Sequence, residues 1–226
     1  MNVTAENVTK EYIRPGRGTN RFAAVNGVSL TLEGGSLCAV MGRSGSGKTT
    51  LLNILSGLLS PTSGKVFLDG RDIYSLDDKT LSRLRCESFG VVPQGQSAVR
   101  TLTVEENILL PFMLYKEKGG REYALELMKR LGIAELASVK PSELSGGELR
   151  RMSIARAVIR RPGVIFADEP TGDLDDENTA LVFDFLKQLA GEGSAVMVVS
   201  HENDALKYAD RVMKMSAGNF EIMKGA

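Results

Sequence analysis

Gly42, Arg43, Ser44, Gly45, Ser46, Gly47, Lys48 and Thr49 fit the spacing G-x-x-x-x-G-K-[ST], and Thr50 follows. The glycines let backbone N–H groups close around a phosphate, and Lys48 adds a point charge for terminal phosphates. The Thr49 hydroxyl is a ligand for Mg²⁺, and Thr50 is a further, weaker contact. A Gly-rich turn with a surface lysine is the plain alternative. The apolar run before the loop and the helical spacing after it favour phosphate. A second set of groups closes the run Val-Ile-Phe-Ala-Asp-Glu, where Asp168 and Glu169 follow four apolar residues. Asp168 falls at the C-terminal end of a buried strand, where open α/β sheets bind ligands, and suits a metal's shell. Glu169 is placed to polarise a water. A lone Asp-Glu pair is otherwise a common strand cap.

A third set raises a question. Ser145, Gly146, Gly147 and Glu148 open a run in which Leu149, Met152, Ala155 and Ile159 form one apolar stripe at helical spacing. A serine before two glycines at a helix N-terminus is a second phosphate cradle, on the positive end of a helix dipole. Three single residues are less specific. His201 is the only histidine and follows a buried-strand candidate, Gln94 follows another, and Tyr12 could stack on a purine face or merely pack.

The elements that must carry these groups can be read from periodicity. Strand candidates are 22–32, 36–42, 64–70, 89–94, 163–170 and 194–201, and helical spacing runs from Lys48 to Leu59 and from 176 to 190. The first third reads mostly as strands and turns, with 14–20 as a hairpin tip. From about Thr103 to Arg160 the pattern is helical throughout. Strand–helix–strand units imply a parallel sheet covered by helices, from which the helical stretch projects as a lobe.

Composition narrows the class. The 226 residues are 42% hydrophobic, enough for one sizeable core, and 28 Lys plus Arg balance 28 Asp plus Glu. A net charge of zero argues against wholesale nucleic-acid binding. Two cysteines, Cys38 and Cys86, make neither a disulfide framework nor a metal site. The polar N-terminus lacks a secretory signal, and no apolar run approaches the ~20 residues of a membrane span. The expectation is a cytoplasmic protein without direct membrane insertion.

Taken in chain order, Tyr12, the Gly42–Thr50 loop, Gln94, Leu-Ser-Gly-Gly-Glu, Val-Ile-Phe-Ala-Asp-Glu, Thr-Gly-Asp-Leu-Asp and His201 resemble the ATP-binding-cassette ATPases. The resemblance covers essentially the whole chain. It implies a P-loop NTPase fold: a RecA-like α/β core with an N-terminal antiparallel β subdomain and an inserted α-helical subdomain. The core would span about 1–96 and 161–226, and the helical subdomain about 97–160. It also implies ATP and Mg²⁺. Lys48, Thr49 and Asp168 would arrange phosphates and metal, Gln94 would join the metal ligands, and Glu169 would activate water. Gln94 and His201 would sense the γ-phosphate, Tyr12 would stack on adenine, and Asp175, matching the family's D-loop, would join the nucleotide-binding residues. The family also answers the question of two cradles: Ser145, Gly146, Gly147 and Glu148 face ATP held by a second copy, so two copies sandwich two nucleotides.

The chain looks like the branch that serves lipoprotein release, macrolide export, peptide resistance and cell division. Its implied partners are a second copy and transmembrane permease subunits, with location at the cytoplasmic face of the cell membrane when bound to them. A non-transporting ATPase module, or a soluble ATPase of the same family, is the alternative. Asp173 departs from the asparagine usual in this branch, Glu148 from the common glutamine, and the segment 93–103 lacks the usual aromatic.

Overall fold

The computed structural model describes residues 1–14, 20–95, 97–172 and 174–222. The hairpin-tip residues 15–19, Gln96 and the departing Asp173 lie outside them. The chain opens with two long strands, β1 (Val3–Arg14) and β2 (Asn20–Leu32), paired antiparallel. Strand β1 is not legible as a strand because its alternation breaks. Val3, Ala5 and Val8 are all buried, and the odd step from Ala5 to Val8 coincides with a register shift and with Asn7 at φ 48°. The neighbouring strand adapts to this bulge: a Cβ on Gly64 would lie 2.4 Å from the Asn7 carbonyl oxygen.

Strand β3 (Leu37–Met41) leads into helix α1 (Lys48–Leu55). Strands β4 (Ser63–Leu68) and β5 (Arg71–Asp72) complete a four-stranded antiparallel sheet in the order β2-β1-β4-β5. Helix α2 (Asp78–Ser88) lies in a region whose sequence reads as strands and turns. Only Leu81 of this helix is buried, so its apolar periodicity is weak. Its start is set by Asp77, which accepts the Thr80 N–H at 3.0 Å.

Strand β6 (Phe89–Val92) precedes three helices, α3 (Val104–Leu114), α4 (Arg121–Arg130) and α5 (Gly146–Val158). Thr103 and Glu106 form a capping box at the start of α3. Buried Asn107 accepts the Val99 N–H and donates to the carbonyls of Val99, Leu102 and Thr103. It thereby fixes the segment that leads from β6 into the helices. Strand β7 (Val164–Asp168), helix α6 (Asp176–Gly191), strand β8 (Ala195–Ser200), a single turn α7 (Ala205–Tyr208) and the hairpin of β9 (Arg211–Ser216) and β10 (Asn219–Ile222) end the described chain.

The second sheet has the order β10-β9-β3-β8-β7-β6, parallel except for β10. Every residue of β3, β7 and β8 is buried, as expected of parallel strands covered on both faces. Their alternation sorts side chains into two cores. Leu37, Ala39, Ile165, Ala167, Val196 and Val198 face helices α3 to α6. Cys38, Val40, Phe166, Met197 and Val199 face α1 and the antiparallel sheet. Burial pushes the Cys38 thiol up to about 11, so it is the inert hydrophobe its surroundings suggest. Among the described residues no helix is long and apolar enough to cross a membrane.

Candidate active site

The phosphate-binding spacing lies in the turn between β3 and α1. A Cβ on Gly47, at φ 104°, would come within 2.0 Å of the Ala24 carbonyl oxygen, so only glycine lets β2 approach the loop this closely. Hydrogen bonds from Ser46 N–H to Arg43 O at 3.1 Å and from Gly218 N–H to Ser46 O at 3.0 Å hold the loop from both sides. Lys48 is 5% exposed, and its ammonium donates to the carbonyls of Gly42 at 2.8 Å and Arg43 at 3.2 Å. The charge is therefore already within its own loop, bound to oxygens that a phosphate would replace.

Asp168 ends β7 and is 2% exposed. The Thr49 hydroxyl lies beside it. Burial raises its pKa, while the Thr49 hydroxyl and the Lys48 charge oppose that rise. Asp168 Oδ1 and Ser46 Oγ are buried without a hydrogen-bond partner. Orphaned buried oxygens beside a hydroxyl fit a hard divalent cation such as Mg²⁺, which takes few protein ligands and several phosphate or water oxygens. No cluster of three His, Cys, Asp or Glu suited to a metal occurs among the described residues.

Glu169 sits one residue beyond the strand at φ 47°, with its N–H bonded to the Val199 carbonyl at 2.8 Å. Its carboxylate is held from two sides. Gln94 Nε2 donates to Oε2 at 2.8 Å, and His201 Nδ1 lies 2.9 Å from Oε1. Gln94 follows β6 and His201 follows β8, so three adjacent parallel strands deliver these groups to one edge. The Gln94 amide nitrogen is spent on Glu169, which leaves its Oε1 as the atom for a metal.

Two clefts meet at this edge. One, of about 400 Å³, runs from Tyr12 and Phe22 across Gly45, Gly47 and Lys48 to Thr49 and Thr50. The other, of about 680 Å³, is lined by Gly42, Arg43, His201, Asn203 and Lys214. Ser44, Gln94 and Glu169 border both. Phe22 was not singled out in the sequence, yet it pairs with Tyr12 across β1 and β2. The rings stack at 5.7 Å with planes 28° apart. Only strand register brings them together. Asn203 and Lys214 were likewise missed, since nothing in their local sequence marks them.

The second cradle is elsewhere. Ser145, Gly146, Gly147 and Glu148 line neither cleft. Ser145 is the N-cap of α5 and forms a capping box with Glu148. Gly147 faces Leu174, whose Cδ2 lies 3.0 Å from where a Cβ would be. Asp175 caps α6 by accepting the Asn178 N–H at 2.8 Å, which holds its carboxyl below the usual range.

Comparison with known proteins gives the family. Residues 25–172 match the family model described as ABC transporter. The chain is 38% identical over 216 residues to the lipoprotein-releasing system ATP-binding protein LolD of Aquifex aeolicus, covering 95% of this chain and 93% of that protein. It is 38% identical over 213 residues to the macrolide export ATP-binding/permease protein MacB of Chlorobaculum tepidum, covering 94% of this chain but 32% of the relative, so it spans about a third of that protein. Among solved structures, the dimeric bacterial ABC transporter cassette MJ0796 is similar, with TM-score 0.90, 35% identity and 99% and 100% of the two chains covered. A dimeric post-hydrolysis state of the same cassette bound to ADP and Pi aligns with TM-score 0.89.

Proposed function

The chain belongs to the ABC transporter ATPase family, and on that premise we propose that it is the ATP-hydrolysing subunit of an export or lipoprotein-release type transporter. The observation that carries the reading is the convergence of Lys48, Asp168 and Glu169 at one sheet edge beside a phosphate loop.

In this reading the Gly42–Thr50 loop holds the phosphates and Tyr12, stacked on Phe22, offers a face to the adenine. Thr49, Asp168 and Gln94 would hold Mg²⁺, which when bound neutralises charge between the terminal phosphates. Glu169 accepts a proton from the attacking water as the new oxygen–phosphorus bond forms and the bond to ADP breaks. Its hydrogen bonds from Gln94 and His201 set the direction in which it accepts. Residues 97–160 act as the helical subdomain and 1–96 with 161–226 as the core.

Ser145 lies outside both clefts of its own chain, which supports the reading that the second cradle serves a second copy and that two copies close around two ATP. Permease subunits would dock on a groove of about 380 Å³ lined by Leu58, Leu110, Leu114, Tyr115 and Arg160. Leu58 and Leu114 are 55% and 71% exposed there. Such apolar exposure suits a partner surface. Docking there would place the protein at the cytoplasmic face of the cell membrane.

The decisive experiment uses Glu169→Gln, which keeps size but cannot accept a proton. With Mg²⁺ and ATP the variant should run as a dimer on size-exclusion chromatography, and without nucleotide, or with ADP, as a monomer. A variant that stays monomeric at saturating ATP and still turns it over would refute both the role of Glu169 and the sandwich.

A further inference from the structure

Ser145 and Glu148 share more hydrogen bonds than capping a helix requires. Glu148 Oε2 accepts the Ser145 backbone N–H at 2.7 Å, and the Glu148 N–H donates to Ser145 Oγ at 3.3 Å. Those two bonds form the capping box. A third is added: the Ser145 hydroxyl donates to the same Oε2 at 2.8 Å. A serine has one hydroxyl proton, and an ionised carboxylate only accepts. The proton is therefore committed to Glu148. Bonds from the Ser145 backbone and hydroxyl, with the Arg151 charge nearby, hold the Glu148 carboxyl below its usual range, so it is ionised at neutral pH.

We propose that Glu148 is a positioning residue that restrains the Ser145 hydroxyl, so that closure on a second copy's nucleotide must first release its proton. The proposal deepens the function given above and rests on it for the statement that Ser145 meets nucleotide held by another copy. Phosphate oxygens at neutral pH are acceptors, so Ser145 can engage them through its hydroxyl only by donating. Here the donor is held by a charge-assisted bond, the stronger kind. The backbone arm of the box caps the helix, and the hydroxyl bond sets the threshold for closing. Since Ser145 lines neither cleft of its own chain, the restraint acts only when two copies meet.

Glu148→Gln separates the two roles. The amide oxygen still accepts the Ser145 N–H and preserves the cap. Both bonds end on the one Oε2, and an amide oxygen in its place can also accept the Ser145 hydroxyl, but that bond loses its charge assistance and holds the proton more weakly. The test compares the full chain carrying Glu169→Gln with the same chain carrying Glu148→Gln as well. Both are titrated with ATP and Mg²⁺, and the dimer is followed by sedimentation velocity. Two ionic strengths are used, about 0.1 M and about 1 M KCl, because the latter screens charges beyond ~3 Å.

The added substitution should lower the ATP concentration for half-maximal dimer roughly 3- to 10-fold at both salts, the size expected of one hydrogen bond. ATP affinity of the monomer should not move, and the melting temperature should fall by no more than about 2–4 °C, the scale of losing one charge from a helix N-terminus. An unchanged or raised midpoint overturns the restraint while leaving the sandwich intact. A gain confined to low salt also overturns it, because the effect would then be repulsion between Glu148 and phosphate through space. If the Glu169→Gln parent forms no dimer at all, the reading of Ser145 falls and this proposal falls with it.

Discussion

Gln94 and Glu169 stand 75 residues apart and are joined by a hydrogen bond of 2.8 Å, from the end of β6 to the end of β7. His201 completes the arrangement from β8 at 2.9 Å, so both carboxylate oxygens are occupied. A carboxylate held this way has one orientation, which is what a proton acceptor aimed at a single water needs.

His201→Ala should therefore lower the rate of ATP turnover by about 10²-fold, the scale of a general acid–base contribution. Nucleotide affinity of the monomer should barely change, because His201 lines the cleft beside the Tyr12 cleft rather than that cleft itself. Steady-state hydrolysis and nucleotide titration of the same preparation separate the two. A large loss of monomer affinity would place the imidazole in the wrong role.

Ser145→Arg should leave ATP binding to the monomer nearly intact and stop hydrolysis. The residue lies at the start of α5, outside both clefts, and a bulky cation there obstructs approach of a second copy. Fluorescent-nucleotide binding gives the first quantity and phosphate release the second. Monomer binding lost along with turnover would mean that Ser145 serves its own chain's site.

Tyr12→Ala should weaken ATP binding about tenfold, since stacking of a base on an aromatic ring is worth roughly 1–3 kcal/mol. Turnover at saturating ATP should be preserved, because the ring is remote in role from Glu169. Tyr12→Phe keeps the ring and should restore affinity. Isothermal titration of the three proteins checks this, and equal affinities would remove Tyr12 from the adenine site.

Gly90→Ala should cost about 1–3 kcal/mol of stability, the usual cost of overpacking. A Cβ at Gly90 of β6 would lie 2.6 Å from the Ala157 carbonyl oxygen in α5 and 2.8 Å from Pro162 Cγ. The backbone contact cannot rotate away, so the strand that carries Gln94 must shift. Melting temperature should fall several degrees, and hydrolysis should fall further than the fraction unfolded explains.

Asp210 gives a prediction in pH. Its carboxylate accepts the Leu37 N–H at 2.8 Å, where β3 begins, and pairs with Lys187 of α6. The Leu37 bond first, then Lys187, holds its pKa below the usual carboxylate value. A depressed folded pKa adds stability that is present above the unfolded value and is lost as pH falls through the folded one. Asp210→Ala should thus melt about 2–4 °C below the parent at neutral pH, for a loss of ~1 kcal/mol. The gap should begin to close near pH 4, where an ordinary aspartate protonates, and close further as pH falls through the lower folded value. A gap that persists in acid would assign the loss to packing instead.

Much of the site was legible because its signals are local. The glycine spacing of Gly42 to Thr49 is read within eight residues, and at Gly47 the close approach of the Ala24 carbonyl leaves no room for a side chain. Strands β3, β7 and β8 read as apolar runs because parallel strands are buried on both faces. The stripe Leu149, Met152, Ala155 and Ile159 is buried as its spacing implies. Strand β1 escaped notice where a bulge breaks the period of two, and α2 escaped because it buries so little.

Residue types and order, then, settled the family, the phosphate loop, the acidic strand end and the helical spacing after Ser145. Each is decided within a few residues by backbone sterics and periodicity. Tertiary structure alone decided that Tyr12 faces Phe22, that Gln94 and His201 grip the two oxygens of Glu169, and that the Ser145 proton goes to Glu148 Oε2. Strand register and rotamer choice fix those contacts, and both depend on packing between segments far apart in the chain.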